Sequence, residues 1–285
     1  MDPIAYVNGS FVPLKDAKVS ILDRGFLFAD GIYEVSAVLD GRLIDNESHL
    51  ARLVRSVGEI ALALPEPIER IKEIQKELIA RNDLVSGLVY IEVTRGADTG
   101  RDFAFPKNVK PTLVMFTSVK DIVNAASAKT GIAIITVPDI RWERRDIKSV
   151  GLLAQVLAKQ AAAEAGAGEA WMIEDGKVTE GGSSSAFILT KDDVLVTRQN
   201  SSAILPGCTR KAVVALAEER QLRIEERPFS VQEALAAKEA FITSASLFVQ
   251  AVVSIDGKPV ADGKPGPLTN RLREIYVDFA RATAE

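Results

Sequence analysis

The sequence predicts an α/β protein of the α+β type, built as two domains, and three observations carry that prediction. Asn-Gly or Asp-Gly pairs flanked by short alternating apolar runs recur at 8–9, 40–41, 175–176 and 256–257, each the signal of a tight hairpin. Segments of helical periodicity lie among these hairpins rather than after them. Residues 119–129, which include KDIVNAASAK, lack strong periodicity and precede a new β-branched run at 131–137. The expected division is therefore a small N-terminal α/β domain over 1–118, a linker over 119–129, and a larger domain with mixed and antiparallel sheets over 130–285.

The first hairpin joins runs at 4–7 and 10–12. An alternating strand at 32–39 returns through Asp40-Gly41 to 42–44, and Asn46 then opens a helix with Leu50, Leu53, Val54, Val57 and Ile60 at helical spacing. A second helix is expected over 67–81, and strands at 88–95 and 111–118 complete the domain. Beyond the linker the pattern runs strand, helix, several strands, helix, strand, helix, strand, with helices near 149–165, 208–220, 230–236 and 268–283. In the first of these Leu152, Leu153, Val156 and Leu157 form one apolar stripe. Gln155 and Lys159 share the opposite, polar face, so Lys159 reads as a solvated surface residue.

Composition narrows the function. A chain of 285 residues at 47% hydrophobic can bury one large core or two modest ones. A net charge of −4 with both signs interspersed provides no basic field for nucleic acid and no polybasic run for a membrane surface. No segment approaches the roughly 20 apolar residues of a membrane span, and MDPIAYVNGS has neither the charged nor the apolar region of a signal peptide. Cys208 and His49 each stand alone, which argues against a disulfide framework and against zinc or other metal sites, and suits a cytoplasmic location. The expected partners are small molecules or further copies of the chain. No GxGxxG or GxxxxGK[ST] loop is present.

Four places carry chemistry-bearing residues. In RRDIKSVGLLAQVLAKQ, Lys148 stands at the junction of a charged connection and a helix, where a side chain can reach a cleft; surface ion pairing is the bland alternative. In ILPGCTRK, Gly207 and Thr209 open a helix, so backbone N–H groups, the helix dipole and a hydroxyl converge on a point suited to an anion, or simply cap the helix. HLAR sets His49 and Arg52 three apart on one helix face, where the arginine can grip a phosphate or form a surface pair. VTEGGSSSAF puts Glu180 just before a flexible turn.

In this order and combination the chain resembles the fold-type IV aminotransferases, which depend on pyridoxal 5′-phosphate. The matching segments are DRGFLFADGIYE, DIKSVGLLAQVLAKQ, TEGGSSSAF and LPGCTR, spread over nearly the whole chain. The resemblance implies the two-domain fold-type IV architecture, and that Lys148 forms the Schiff base with the cofactor. It implies that Glu180 faces the pyridine nitrogen and that Leu205 packs on the ring. Arg52, Cys208, Thr209 and the segment at Ser244 and Ala245 fall to the phosphate, and Tyr33 lies near the substrate. Amino acid and 2-oxo acid substrates and a homodimer follow as expectations.

Within the family the similarity is greatest to D-amino acid aminotransferases, in which a loop arginine and histidine receive the substrate carboxylate. Arg101 holds the arginine position; Phe103 stands where the histidine is expected. Two further departures are Ala245, at the position of a phosphate-binding threonine with Ser244 or Ser246 as substitute hydroxyls, and Ser185 in place of an asparagine. The expected activity is a ping-pong exchange of an amino group between a D-amino acid, such as D-alanine or D-glutamate, and a 2-oxo acid. The alternatives are branched-chain L-amino acid or (R)-amine transamination, then aminodeoxychorismate lyase activity or a non-catalytic binding module.

Overall fold

A computed structural model describes residues 2–285. The chain divides into two compact units. The first comprises Met1–Asp121, Ile147–Gly151 and Thr283–Glu285, and the second comprises Ile122–Asp146 and Leu152–Ala282. The fold is mixed α/β, as the alternation of hairpins and helical periods predicts. The segment around Lys148 and the last three residues thus group with the first unit, apart from their neighbours in sequence.

The first unit holds β1 (Ile4–Val7), β2 (Ser10–Pro13), a 3-10 turn at Leu14–Asp16, α1 (Arg24–Phe28), β3 (Gly31–Leu39), β4 (Arg42–Leu43), α2 (Asn46–Glu59), α3 (Ile68–Arg81), β5 (Gly87–Thr94) and β6 (Thr112–Val119). Its strands form one antiparallel sheet in the order β2-β1-β6-β5-β3-β4. Leu50, Leu53 and Val57 of α2 and Ile71, Ile74 and Leu78 of α3 bury themselves against Ile32, Ile91, Val93, Leu113 and Met115 of one sheet face. Two-residue alternation leaves the other face, with Tyr33, Glu92 and Phe116, half-buried. The short α1 was not legible in the periodicity. Asp23 caps it by accepting from the Gly25 amide at 2.8 Å, and Ala29 ends it in the left-handed region at φ 55°.

The second unit holds α4 (Ala126–Thr130), β7 (Ile132–Pro138), α5 (Leu153–Glu164), β8 (Glu169–Glu174), β9 (Lys177–Gly181), β10 (Ser185–Leu189), β11 (Val194–Thr197), α6 (Cys208–Glu219), β12 (Arg223–Glu226), α7 (Val231–Leu235), β13 (Glu239–Ser244), β14 (Phe248–Ile255), β15 (Lys258–Pro259) and α8 (Pro267–Thr283). The sheet order is β12-β11-β10-β13-β14-β7-β8-β9, with β15 beside β14. Pairings β11–β12, β14–β7 and β7–β8 are parallel and the rest antiparallel. Trp171, Ile188, Phe229 and Ile242 sit at its core.

Two expectations are corrected here. The helix near 149–165 begins only at Leu153, because residues 147–151 are extended: Ser149 bridges Ile32, and the Val150 amide donates to Gly31 O. Lys159 is not simply solvated. Its Nζ donates to Gly168 O at 2.9 Å and lies 3.2 Å from the wholly buried Glu169, whose charge needs a partner. The stripe Leu153, Val156 and Leu157 is exposed, and α5 buries Ala158 and Ala162 instead. No helix is long and apolar enough to cross a membrane among the described residues.

Candidate active site

Each unit carries its own set of converging groups. In the first, Lys148 lies alongside β3. The Tyr33 amide donates to Lys148 O at 3.0 Å, which, with the Ile32–Ser149 bridge, turns the segment into a short extra partner for the strand. The Lys148 Nζ then stands 4.1 Å from the centroid of the Tyr33 ring, a cation–π distance. Tyr33 in turn stacks on Tyr90 at 5.7 Å, and Tyr90 on Phe116 at 4.8 Å. The Lys148 amine therefore sits over the aromatic, half-buried face of the sheet.

The opposite face buries Glu34. Arg52 Nε donates to its Oε1 at 2.7 Å and Nη2 to its Oε2 at 2.8 Å, while His49 Nδ1 lies 2.9 Å from Oε2. Burial alone raises a carboxyl; here Arg52 and His49 overcome it and hold Glu34 well below the usual carboxylate range. His49 and Arg52 share a helix face, as their spacing predicts, but both converge on a buried carboxylate.

Arg101 and Phe103 lie on the loop after β5. Phe28 and Phe103 meet at 5.1 Å, and the Arg101 guanidinium is 4.9 Å and 5.2 Å from their centroids. The loop is tied from beneath by Arg24, which is buried. Its Nη1 donates to Asp102 O at 2.6 Å and to Ala104 O at 3.3 Å, its Nη2 to Phe103 O at 3.0 Å, and its Nε to Asp30 Oδ2 at 2.8 Å. Arg95 Nε reaches the same Asp30 oxygen at 2.8 Å. Although burial pushes Asp30 up, the two guanidinium groups bring its carboxyl below the ordinary range.

In the second unit, Glu180 sits near the end of β9 and is buried. Its carboxylate accepts from the Leu205 amide at 3.1 and 3.3 Å and from Arg141 Nη1. Arg141 is itself held by Asp139, which also accepts from Thr179 Oγ1 at 2.6 Å. Burial raises the Glu180 carboxyl above its ordinary value, against the opposing pull of Arg141. Residues following Glu180 are shaped by Glu169, which accepts from Ser183 Oγ at 3.1 Å and Ser184 Oγ at 3.0 Å.

Gly207 precedes α6 in extended conformation, and no side chain caps the helix opening, where Cys208 and Thr209 are buried. A Cβ on Gly207 would come within 2.9 Å of Ser185 Oγ, so this hydroxyl packs directly on the opening. Ser185 pairs across the sheet with Thr243, whose Oγ1 is buried without a partner. Ser244 and Ser246 follow, their hydroxyls 3.5 Å apart, with Ala245 between them. Among the described residues no group of three His, Cys, Asp or Glu side chains could hold a metal ion.

A sequence model of the family described as amino-transferase class IV matches residues 31–255. D-alanine aminotransferase of Staphylococcus epidermidis is 40% identical over 278 residues, covering 97% of this chain and 98% of that one. The chain belongs to the class IV aminotransferases. The D-alanine aminotransferase of Listeria monocytogenes serotype 4b is 36% identical, over 95% of this chain and 94% of that one. Among solved structures, the branched-chain amino acid aminotransferase of Escherichia coli superposes with a TM-score of 0.90 at 23% identity, covering 100% of this chain and 97% of that one. A hypothetical aminotransferase from Mycobacterium tuberculosis, in its PLP-bound form, superposes with a TM-score of 0.84 at 21% identity, over 98% and 99% of the two chains. These last two likenesses establish the fold.

Class IV aminotransferases depend on pyridoxal 5′-phosphate, and the aminotransferase has groups of the kind this cofactor needs. They are a half-buried lysine whose amine stands over Tyr33, a buried carboxylate, and a helix opening at Gly207 bordered by hydroxyls with one buried Oγ1 unsatisfied. Sequence reasoning missed Arg24 and Arg141, which hold residues it had singled out. For Arg24 the motif DRG was a signal in plain view; for Arg141 only the folded chain supplies one.

Proposed function

We propose that this aminotransferase exchanges an amino group between a D-amino acid and a 2-oxo acid in a ping-pong cycle, with Lys148 as its catalytic residue. The observation that carries the reading is the Lys148 amine poised over Tyr33, in a chain that is 40% identical to a D-alanine aminotransferase over nearly its full length. When bound, pyridoxal 5′-phosphate supplies an aldehyde that condenses with amines and a ring that takes up the electron pair left at the substrate Cα.

This chain's residues do the rest. Lys148 Nζ would hold the cofactor, and the same amine would accept the substrate Cα proton and later return one. Glu180 would accept a hydrogen bond from a protonated ring nitrogen, with Arg141 opposing the effect of burial on the carboxylate. Arg52, the α6 amides at Cys208 and Thr209, the Thr209 hydroxyl and Ser244, beside Ala245, would hold the phosphate, and Leu205 would cover a ring face. Tyr33 and Arg101 orient the substrate, Arg101 taking its carboxylate, with Phe103 as an apolar wall in place of a second donor. The donor leaves as its 2-oxo acid before the acceptor enters.

The lone cysteine and interspersed charge support a cytoplasmic enzyme. Large exposed apolar side chains in each unit support a homodimer: Ile21 is 77% exposed, Phe26 75%, Phe103 74% and Leu153 73%.

The test is an assay of the purified protein with added cofactor. D-Alanine and 2-oxobutanoate should yield pyruvate, L-leucine should serve far less well, and Lys148→Ala should lose activity by roughly a thousandfold or more. Borohydride reduction and peptide mapping should label Lys148; a label on Lys159, or none, refutes the assignment.

A further inference from the structure

Tyr33, beneath the Lys148 amine, pairs directly across the sheet with Glu92, and Glu92 pairs on its other side with Val114. Facing residues in adjacent strands share a sheet face, so Tyr33, Val35, Tyr90, Glu92, Val114 and Phe116 line one half-buried surface. Glu92 is the acid within that surface. Its one hydrogen-bond donor is Tyr90, whose hydroxyl lies 2.7 Å from Oε2, and no cation pairs with it among the described residues. A carboxylate has about four acceptor positions, so most of its capacity is unused. Burial, to which the charge of Asp23 adds, raises the Glu92 carboxyl above its ordinary value. Such a group gains by meeting a donor and loses by meeting a second anion.

We infer that Glu92 reads the far end of the substrate side chain and selects amino donors ending in a cationic amine over those ending in a carboxylate. The inference rests on Lys148 being the amine at which substrate reacts: a side chain of a few carbons laid across Tyr33 from that point arrives at the neighbouring strand position, which is Glu92. An ornithine-like or lysine-like donor then places an ammonium group against the carboxylate. A glutamate-like donor brings two carboxyl groups together in a partly desolvated place.

Two probes of similar length that cannot condense with the cofactor separate these cases: 4-guanidinobutanoate and glutarate, titrated calorimetrically into the holoenzyme. The wild type should bind 4-guanidinobutanoate at least about tenfold more tightly than glutarate, Glu92→Gln should bring the two within about twofold, and Glu92→Lys should reverse the order. D-Ornithine and D-glutamate turnover should follow the same order. Equal binding by the wild type, or a preference that survives in Glu92→Gln, overturns the role of Glu92. Failure of the Lys148 reading is distinguished by borohydride mapping and by the absence of D-alanine turnover, neither of which depends on this preference.

Discussion

Glu34 is the residue at which electrostatics and stability meet most directly. It is fully buried, and two basic side chains of α2 converge on it. Its carboxyl is depressed in the folded state, so the stability it contributes is present above the ordinary carboxylate value of about 4.3 and is lost as pH falls below that value towards the folded one. Glu34→Gln withdraws the charge opposite Arg52 and should cost about 3 kcal/mol at pH 7. Urea titrations of both proteins should show that difference shrinking below about pH 4; a constant difference down to pH 3 would contradict the ion-pair account. Lys148, Glu180 and Arg101 stand out in the letters as the groups the proposed chemistry calls for. Their partners were not. Arg141 meets Glu180 across 39 positions of sequence, and Arg24 meets the Asp102–Ala104 backbone across 78 to 80. Only tertiary approach creates such pairs.

At the scale of elements, α1 and the loop after β5 act together, since one buried guanidinium holds three successive carbonyls of the segment that carries Arg101 and Phe103. Arg24→Gln removes most of those donors. On the proposed role of Arg101, the KM for D-alanine should rise about tenfold while kcat changes by less than about threefold, and proteolysis within residues 96–106 should accelerate. An unchanged KM would mean that the loop holds its form without Arg24. Hairpins and amphipathic helices were legible because turn chemistry and periodicity are local. The start of α5 was not, because the residues before it are recruited by β3, and the α5 stripe shows why period alone is insufficient. Leu153, Val156 and Leu157 repeat at helical spacing yet face outward, so the pattern reveals that a face is apolar but not what covers it.

For the whole molecule, the exposed apolar side chains make the proposed dimer a measurable matter. Light scattering should give twice the mass of one chain, and the double variant Leu153→Glu, Leu157→Glu should shift the population towards the monomer; a wild type at single-chain mass would remove the proposal. The connectivity also carries a consequence for synthesis. Residues 147–151 complete the edge of β3, which lies more than a hundred positions earlier. On the ribosome, at about 5–20 residues per second, the Tyr33 amide emerges seconds before the carbonyl it needs. During that interval a nearly finished N-terminal sheet offers raw backbone donors to any neighbouring nascent chain, and the late arrival of a few residues both seals that hazard and brings the Lys148 amine over Tyr33.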